Sequence, residues 1–314
     1  MPLIAPSVDV LPPPVVGVHR YRGQPCASRF VRGGGRARVP LLLIGGAFQR
    51  KEHWGAFERA FLARMDVLTV DPPGWGAGAV LPPEHGADFL ARAVCHMLNE
   101  AGIARVHVLG GSYGTAIAYR LAQLFPDRVE RMVLVGTMTA IPEHAEHALR
   151  RGLDLLEARR MQEFARATVG VLMNEERLPL IARGAAVRRF LMRRLSTLPY
   201  EEGEQTRANT RRLLLHRMVD ATAPPRPPVL VVTGEHDAFT TPELCREMAR
   251  ACGDSWFAEV ADADHMVHLE RTAELAALAG RFLLGDAPLS AELPFCRLVE
   301  RISEPAAEGS ALRR

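Results

Sequence analysis

From Val39 onward, short apolar runs alternate with stretches of helical spacing, the rhythm of βαβ units feeding a parallel sheet. Six runs read as strands: Leu41–Ile44, Val67–Val70, Val106–Leu109, Met132–Val135, Val229–Val232 and Phe257–Val260. Each is short and made of Val, Leu or Ile with little polar alternation, as expected of strands covered on both faces. Between them the pattern predicts helices at Trp54–Ala63, Ala87–Ala101, Thr115–Leu124, Pro242–Ala251 and Thr272–Leu284. Val15–Val31 suits an antiparallel hairpin at the sheet edge. Between Ile141 and Asp220 the rhythm breaks. No strand is expected there, and Leu153, Leu156, Met161 and Phe164 fall at helical spacing. The chain therefore divides into an N-terminal extension (1–14), an α/β core (15–140 and 221–285), an inserted helical cap (141–220) and a C-terminal extension (286–314) whose end, Glu304–Arg314, reads as frayed.

Composition narrows this only a little. The chain has 314 residues, 48% hydrophobic and 24% charged, with a net charge of +3. That balance is ordinary for a globular domain and too weak to suggest a nucleic-acid partner. Lys51 is the only lysine. Five cysteines are scattered without CxxC spacing, so neither a disulfide framework nor a zinc site is expected. Met1 to Val16 is broken by prolines and lacks a basic flank, and no run approaches the ~18 apolar residues that span a bilayer. A cytoplasmic location is the expectation.

The chemistry starts at Gly110-Gly111-Ser112-Tyr113-Gly114, a G-x-S-x-G between a strand and a helix. A serine displayed on such a turn needs small neighbours two residues away on either side, here Gly110 and Gly114, because side chains there collide with the backbone. A serine alone is a weak nucleophile, so a base and an acid must follow it. Asp237 lies just after the strand Val229–Val232, with Glu235 as the alternative acid. Thr240 or Thr241 suits the N-cap of the next helix. His265 lies after the strand ending at Val260, with His268 as the competing base. Two backbone N–H groups must hold a developing oxyanion; Tyr113 follows the nucleophile, and Ala47 sits in the glycine loop Gly45-Gly46-Ala47-Phe48. No Walker loop or dinucleotide fingerprint is present, and no cofactor or metal is expected.

These motifs, with Asp71-Pro72-Pro73-Gly74-Trp75-Gly76 between them, resemble the α/β-hydrolase superfamily over about Val39–Leu284. The resemblance implies an eight-stranded, mostly parallel sheet with helices on both faces and a helical cap after the sixth strand. It departs at Gly45, where many relatives carry histidine, and at Asp264, where glycine is common. A narrower resemblance, carried by Ile44–Phe48, Val70–Pro73 and Asp237–Thr241, is to the acyltransferases that make the lipid precursor of rhamnolipids, the 3-(3-hydroxyalkanoyloxy)alkanoate synthases. It implies 3-hydroxyacyl substrates carried on acyl-carrier protein or coenzyme A. The resulting expectation is an acyl hydrolase or acyltransferase acting on an ester or thioester. The cap arginines Arg150, Arg151, Arg188, Arg189, Arg211 and Arg212 are either a surface for an acidic carrier or a solvated helix face. Serine at the elbow argues against epoxide hydrolases and haloalkane dehalogenases. C–C bond hydrolases, lactonases, perhydrolases and a non-catalytic ligand-binding protein stay open.

Overall fold

The computed structural model describes residues 12–303 except 36, 218, 221 and 287–292. The first eleven residues of the N-terminal extension and the frayed end expected at Glu304–Arg314 lie outside the described residues.

One nine-stranded sheet organises the chain. Its strands are β1 (Val15–Tyr21), β2 (Gln24–Val31), β3 (Leu41–Ile44), β4 (Val67–Asp71), β5 (Val106–Gly111), β6 (Val129–Val135), β7 (Val229–Gly234), β8 (Ser255–Val260) and β9 (Cys296–Ser303). They lie in the order β1-β2-β4-β3-β5-β6-β7-β8-β9. The six strands from β4 to β8 in that order are parallel neighbours, and the pairs β1/β2, β2/β4 and β8/β9 are antiparallel. The eight strands expected thus become nine. The C-terminal extension returns along β8 as an antiparallel edge strand, covering hydrogen-bonding groups that β8 would otherwise leave open.

The pleat sorts side chains onto two layers. Leu42, Ile44, Leu68 and Val70 face α2 (Ala87–Glu100), α3 (Tyr113–Leu124) and α8 (Pro242–Arg250). Leu41, Leu43 and Val67 face α1 (Gly55–Leu62) and α10 (Thr272–Leu283). Between β6 and β7 come α4 (Glu143–Glu157), α5 (Met161–Leu172), a 3-10 turn (Glu175–Leu180), α6 (Gly184–Ser196) and α7 (Tyr200–Leu215). Their apolar faces form a third cluster around Leu156, Phe164, Val169 and Leu191, packed on Phe48, Met266 and Leu269. The helical layer therefore rests on loops that leave the C-terminal ends of β3 and β8.

The arginines of that layer do not share one environment. Arg212, expected at the surface, is completely buried; it reaches Asn209 and the carbonyls of Leu81 and Pro82. These acceptors engage both of its terminal nitrogens, while Nε has no hydrogen-bond partner, and the bonds tie α7 to the loop before α2. Arg150, Arg188 and Arg211 pair with Glu146, Glu175 and Glu157. Among the described residues no helix is long and apolar enough to cross a membrane.

Candidate active site

The strand ends deliver the site. β5 runs through Gly111 and α3 starts at Tyr113, so Ser112 alone makes the turn. Its backbone has φ 49° and ψ −116°, a strained conformation for a residue with a Cβ. The flanking glycines are required by contact. A Cβ at Gly110 would sit 2.6 Å from the carbonyl oxygen of Gly114, and one at Gly114 would run into the carbonyl of Ile44.

Ser112 Oγ lies 3.0 Å from His265 Nε2, and His265 Nδ1 lies 3.0 Å from Asp237 Oδ2. His265 and Asp237 are 4% and 3% exposed, which removes water as a competing partner. The Asp237 carboxylate is satisfied on both oxygens. Oδ1 accepts the amides of Phe239 and Thr240 at 3.0 and 2.8 Å, and Oδ2 accepts the hydroxyls of Thr240 and Thr233 at 2.6 and 3.3 Å. Thr240 also places its hydroxyl 3.0 Å from His265 Nδ1. Thr241, not Thr240, caps α8 through the Leu244 amide.

The alternatives lie elsewhere. Glu235 accepts the Asp262 amide and pairs with Arg297. His268, in α9 (Val267–Glu270), packs on the rings of Trp54 and Phe57; burial pushes its pKa down to about 4. His265 goes the other way. Burial opposes its charged form, but the charge and hydrogen bond of Asp237, with the charges of Asp264 and Glu270, outweigh it and raise the pKa. Burial raises Asp264 to about 6 and Glu270 to about 8.

The glycine loop after β3 crosses close to the serine: a Cβ at Gly46 would lie 3.4 Å from Ser112 Cβ. Trp75 Nε1 holds the Gly46 carbonyl at 3.2 Å. The loop is anchored from beneath by Lys51, whose amide and ammonium reach the buried Asp71 carboxylate at 2.7 and 2.9 Å. The Ala47 amide donates to no acceptor among the described residues, and the Tyr113 amide begins α3, where helical geometry supplies no partner. Both are available to an oxygen above Ser112.

A cavity of about 480 Å³ opens over Ser112 and His265, between the sheet edge and the helical layer. Its wall is mostly apolar, including Phe48, Trp54, Met138, Phe164, Leu191 and Leu213. Among the buried polar atoms of its lining residues that have no hydrogen-bond partner are Thr137 Oγ1 and Trp54 Nε1. Sequence reasoning missed the hydroxyl of Thr240, the buried pair Asp264 and Glu270, and Asn174. Asp264 carried a signal, standing where glycine is common.

Comparison with known proteins agrees with this architecture. A model of the alpha/beta hydrolase fold matches residues 39–272. A 2-hydroxy-6-oxononadienedioate/2-hydroxy-6-oxononatrienedioate hydrolase of Burkholderia vietnamiensis is 33% identical over 40% of this chain and 45% of its own length. The chain thus spans under half the length of the first curated relatives it matches, at 45% and 44%. An (R)-3-hydroxydecanoyl-ACP:CoA transacylase of Ectopseudomonas oleovorans is 26% identical over 74% of this chain and 78% of that protein. Among solved structures, MGS-M2, an alpha/beta hydrolase from a deep-sea metagenome library, superposes with a TM-score of 0.75 at 15% identity, covering 87% of this chain and 98% of that one. The enol-lactonase of Burkholderia xenovorans gives 0.69 at 21% identity, covering 85% and 100%.

Proposed function

The chain belongs to the alpha/beta hydrolase fold family of enzymes, and from that premise we propose that it cleaves or transfers an acyl group held as an ester or thioester. Ser112 is the nucleophile, His265 the general base and Asp237 the acid that orients it. The observation that carries this assignment is the unbroken run of contacts Ser112–His265–Asp237, 3.0 Å at each step, at the floor of an apolar cavity.

As Ser112 Oγ attacks the carbonyl carbon, Nε2 takes its proton and Nδ1–H stays on Asp237, which stabilises the imidazolium. The oxygen that gains charge turns toward the amides of Ala47 and Tyr113; one such donor is worth about 10²–10³ in rate. The imidazolium then protonates the leaving alcohol or thiol, which departs and leaves an acyl-serine. Water or another hydroxyl or thiol, deprotonated by His265, releases the acyl group.

The cavity favours an apolar acyl group over a dianion, because its partly buried arginine, Arg194, is already neutralised by Glu202. A fluorophosphonate probe should label the wild type and fail on Ser112→Ala. A wild type that stays unlabelled while folded would refute the assignment.

A second reading, transfer of a 3-hydroxyacyl chain rather than its hydrolysis, is favoured by two observations. The relative named for 3-hydroxydecanoyl transfer matches across 74% of this chain. The partnerless Thr137 Oγ1 and Trp54 Nε1 offer a donor or acceptor to an oxygen on an otherwise apolar chain. Arg189 and Arg193, one turn apart on the exposed side of α6, suit an acidic acyl-carrier protein. Mass spectrometry decides between the two. Transfer predicts a Ser112 adduct from 3-hydroxyacyl carrier protein that coenzyme A discharges faster than water does.

A further inference from the structure

Asp264 precedes the base and is completely buried. Its carboxylate spans two backbone amides. Oδ1 accepts the N–H of His265 at 2.8 Å, and Oδ2 accepts the N–H of Asn174 at 2.5 Å. Asn174 belongs to the helical insertion, between α5 and the 3-10 turn. Its side chain carries the connection onward: Nδ2 donates to the carbonyl of His236, the neighbour of the acid, at 3.1 Å, while Oδ1 accepts the Arg177 amide at 3.3 Å and starts the 3-10 turn. Nearby, the Ala182 amide donates to the carbonyl of Asp262 at 2.7 Å and Arg183 to that of Leu269 at 3.1 Å. From the other side Glu270 accepts the Asp264 amide at 2.7 Å. One short stretch of the insertion, 174–183, is thus stitched to both loops that carry the base and the acid.

We propose that Asp264 is a positioning residue that couples the seat of the helical insertion to the His265 imidazole, with Asn174 as its counterpart on the insertion. The inference rests on the assignment of Ser112, His265 and Asp237 above. A buried carboxylate bonded to two amides keeps its charge at least cost while both bonds persist, since loss of either leaves part of that charge unpaired or drives the group to take a proton. The amides of residues 174 and 265 are therefore held at a fixed separation, and the imidazole keeps its 3.0 Å approach to Ser112 only while the insertion is seated. Asp264 also acts on the ring by charge. The ionisable groups around His265 are Asp237 from the β7–α8 loop, Asp264 beside it, and Glu270 and His268 on α9. Of these, the three carboxylates favour the protonated ring, so neutralising Asp264 makes His265 a weaker base that is free at lower pH.

The test is the second-order rate of fluorophosphonate labelling at Ser112 between about pH 5 and 9, with melting temperature followed alongside, for wild type, Asp264→Asn, Asp264→Ala and Asn174→Ala. Asp264→Asn loses the charge and one of the two acceptor oxygens, so it can hold the amide of His265 or of Asn174 but not both. Its rate midpoint should fall by about half a pH unit or more, with a plateau between those of wild type and Asp264→Ala. Asp264→Ala loses both bonds, and its plateau should drop about tenfold or more. Asn174→Ala keeps the amide bond to Asp264 but cuts the tie to His236; its plateau should fall with the midpoint unmoved. A merely structural role would lower melting temperature and leave the midpoint in place. An Asp264→Asn midpoint equal to wild type overturns the proposal, and so does an Asp264→Ala plateau within about twofold of wild type. If Asp264→Ala fails to fold, the other two variants decide. A wild type that labels at no pH sinks the assignment of Ser112 instead, and this inference with it.

Discussion

Replacing Lys51 by methionine isolates what the glycine loop after β3 rests on. Lys51 is 7% exposed and Asp71 1%, with the ammonium 2.9 Å from Oδ2. Methionine fills similar volume and removes the ammonium, with its bonds to Asp71 and to the half-exposed Glu52. Breaking a buried pair from one side costs about 3–5 kcal/mol, because the surviving charge is left without compensation. Here the cost has a ceiling that the protein sets itself. Burial already raises the Asp71 pKa above its reference of 3.8, against the pull of Lys51, and an abandoned carboxylate escapes by taking a proton. From a reference of 3.8, protonation at pH 7 costs about 4 kcal/mol at 1.36 kcal/mol per unit.

At pH 5 the same ceiling is about 1.6 kcal/mol. The sign follows from linkage: in the variant Asp71 has a raised folded pKa, so stability is retained at low pH and lost as pH rises. Urea unfolding of wild type and Lys51→Met at pH 7 and pH 5 should therefore show a deficit of about 3–4 kcal/mol that shrinks to about 1.5 kcal/mol or less. Lys51→Met with Asp71→Asn should recover most of it, since a neutral amide can keep the 2.7 Å bond from the residue 51 backbone. Labelling of Ser112 should slow along with the stability loss, because the Ala47 amide hangs on the same loop. A deficit below about 1 kcal/mol at pH 7, or one unchanged at pH 5, would refute the reasoning.

Two other perturbations probe separate parts of the molecule. Thr240→Val removes the hydroxyl that donates to Asp237 at 2.6 Å and sits 3.0 Å from His265 Nδ1; it should cost about 1–2 kcal/mol in unfolding experiments and slow labelling about tenfold, with Thr240→Ser near wild type. Equal labelling by Thr240→Val would show that Asp237 alone orients the ring. Burial pushes His107, in β5, down to about 4, and its Nδ1 has no partner. A depressed folded pKa means full stability above pH 6.5 and a loss that grows toward pH 4, about 2 kcal/mol by pH 5. His107→Leu should flatten the fall between pH 7 and pH 5 by that amount, and an unchanged slope would exclude His107 as its source.

What could be read from the chain depended on whether one run of residues carried the signal. Strands β3 to β8 were legible because burial on both faces leaves continuous Val, Leu and Ile runs such as Leu41–Ile44. Their ends were less so: β5 continues through Gly110 and Gly111, residues that read as turn. β9 escaped notice because Cys296-Arg297-Leu298-Val299-Glu300-Arg301 carries charge at its open edge. There Arg246 pairs with Glu300, and Arg301 stacks on Trp256. Ser112, Asp237 and His265 could be placed because each follows a strand, and the structure brings those three together. Asn174 could not, since its partners Asp264 and His236 lie on other elements. The roles of Thr240 and Asp264 stayed hidden because each has one partner nearby in sequence and another far away, His265 and Asn174 respectively. Arg212 was misjudged for the same reason: the carbonyls that accept from it, Leu81 and Pro82, come from about 130 residues away.

The placement of buried polar groups follows a physical logic that bears on how the site is held. Many of those near the sheet collect at the C-terminal ends of the parallel strands: Lys51 and Asp71 beside β3 and β4, Thr233 at the end of β7 with Asp237 and Thr240 after it, and Asp264, His265 and Glu270 after β8. Within the parallel strands such groups are scattered, as at Thr69, His107 and Ser255, and cohesion comes from Val, Leu and Ile. Loops, in contrast, have no ladder to fix them, and apolar contacts are too indifferent to direction to hold an imidazole within a few tenths of an ångström of a hydroxyl. Buried, directional bonds do so, because each is costly to break once water is excluded. The same logic holds for the helical layer, whose polar attachments lie on two sides: Asn174 and Arg183 on the stretch facing the base, and Gln205, Asn209 and Arg212 of α7 on the loop between β4 and α2. Elsewhere the layer meets Phe48, Met266 and Leu269 with apolar side chains, which have no preferred direction. Motion that admits an acyl chain should therefore repack those apolar contacts and leave His265 where it is.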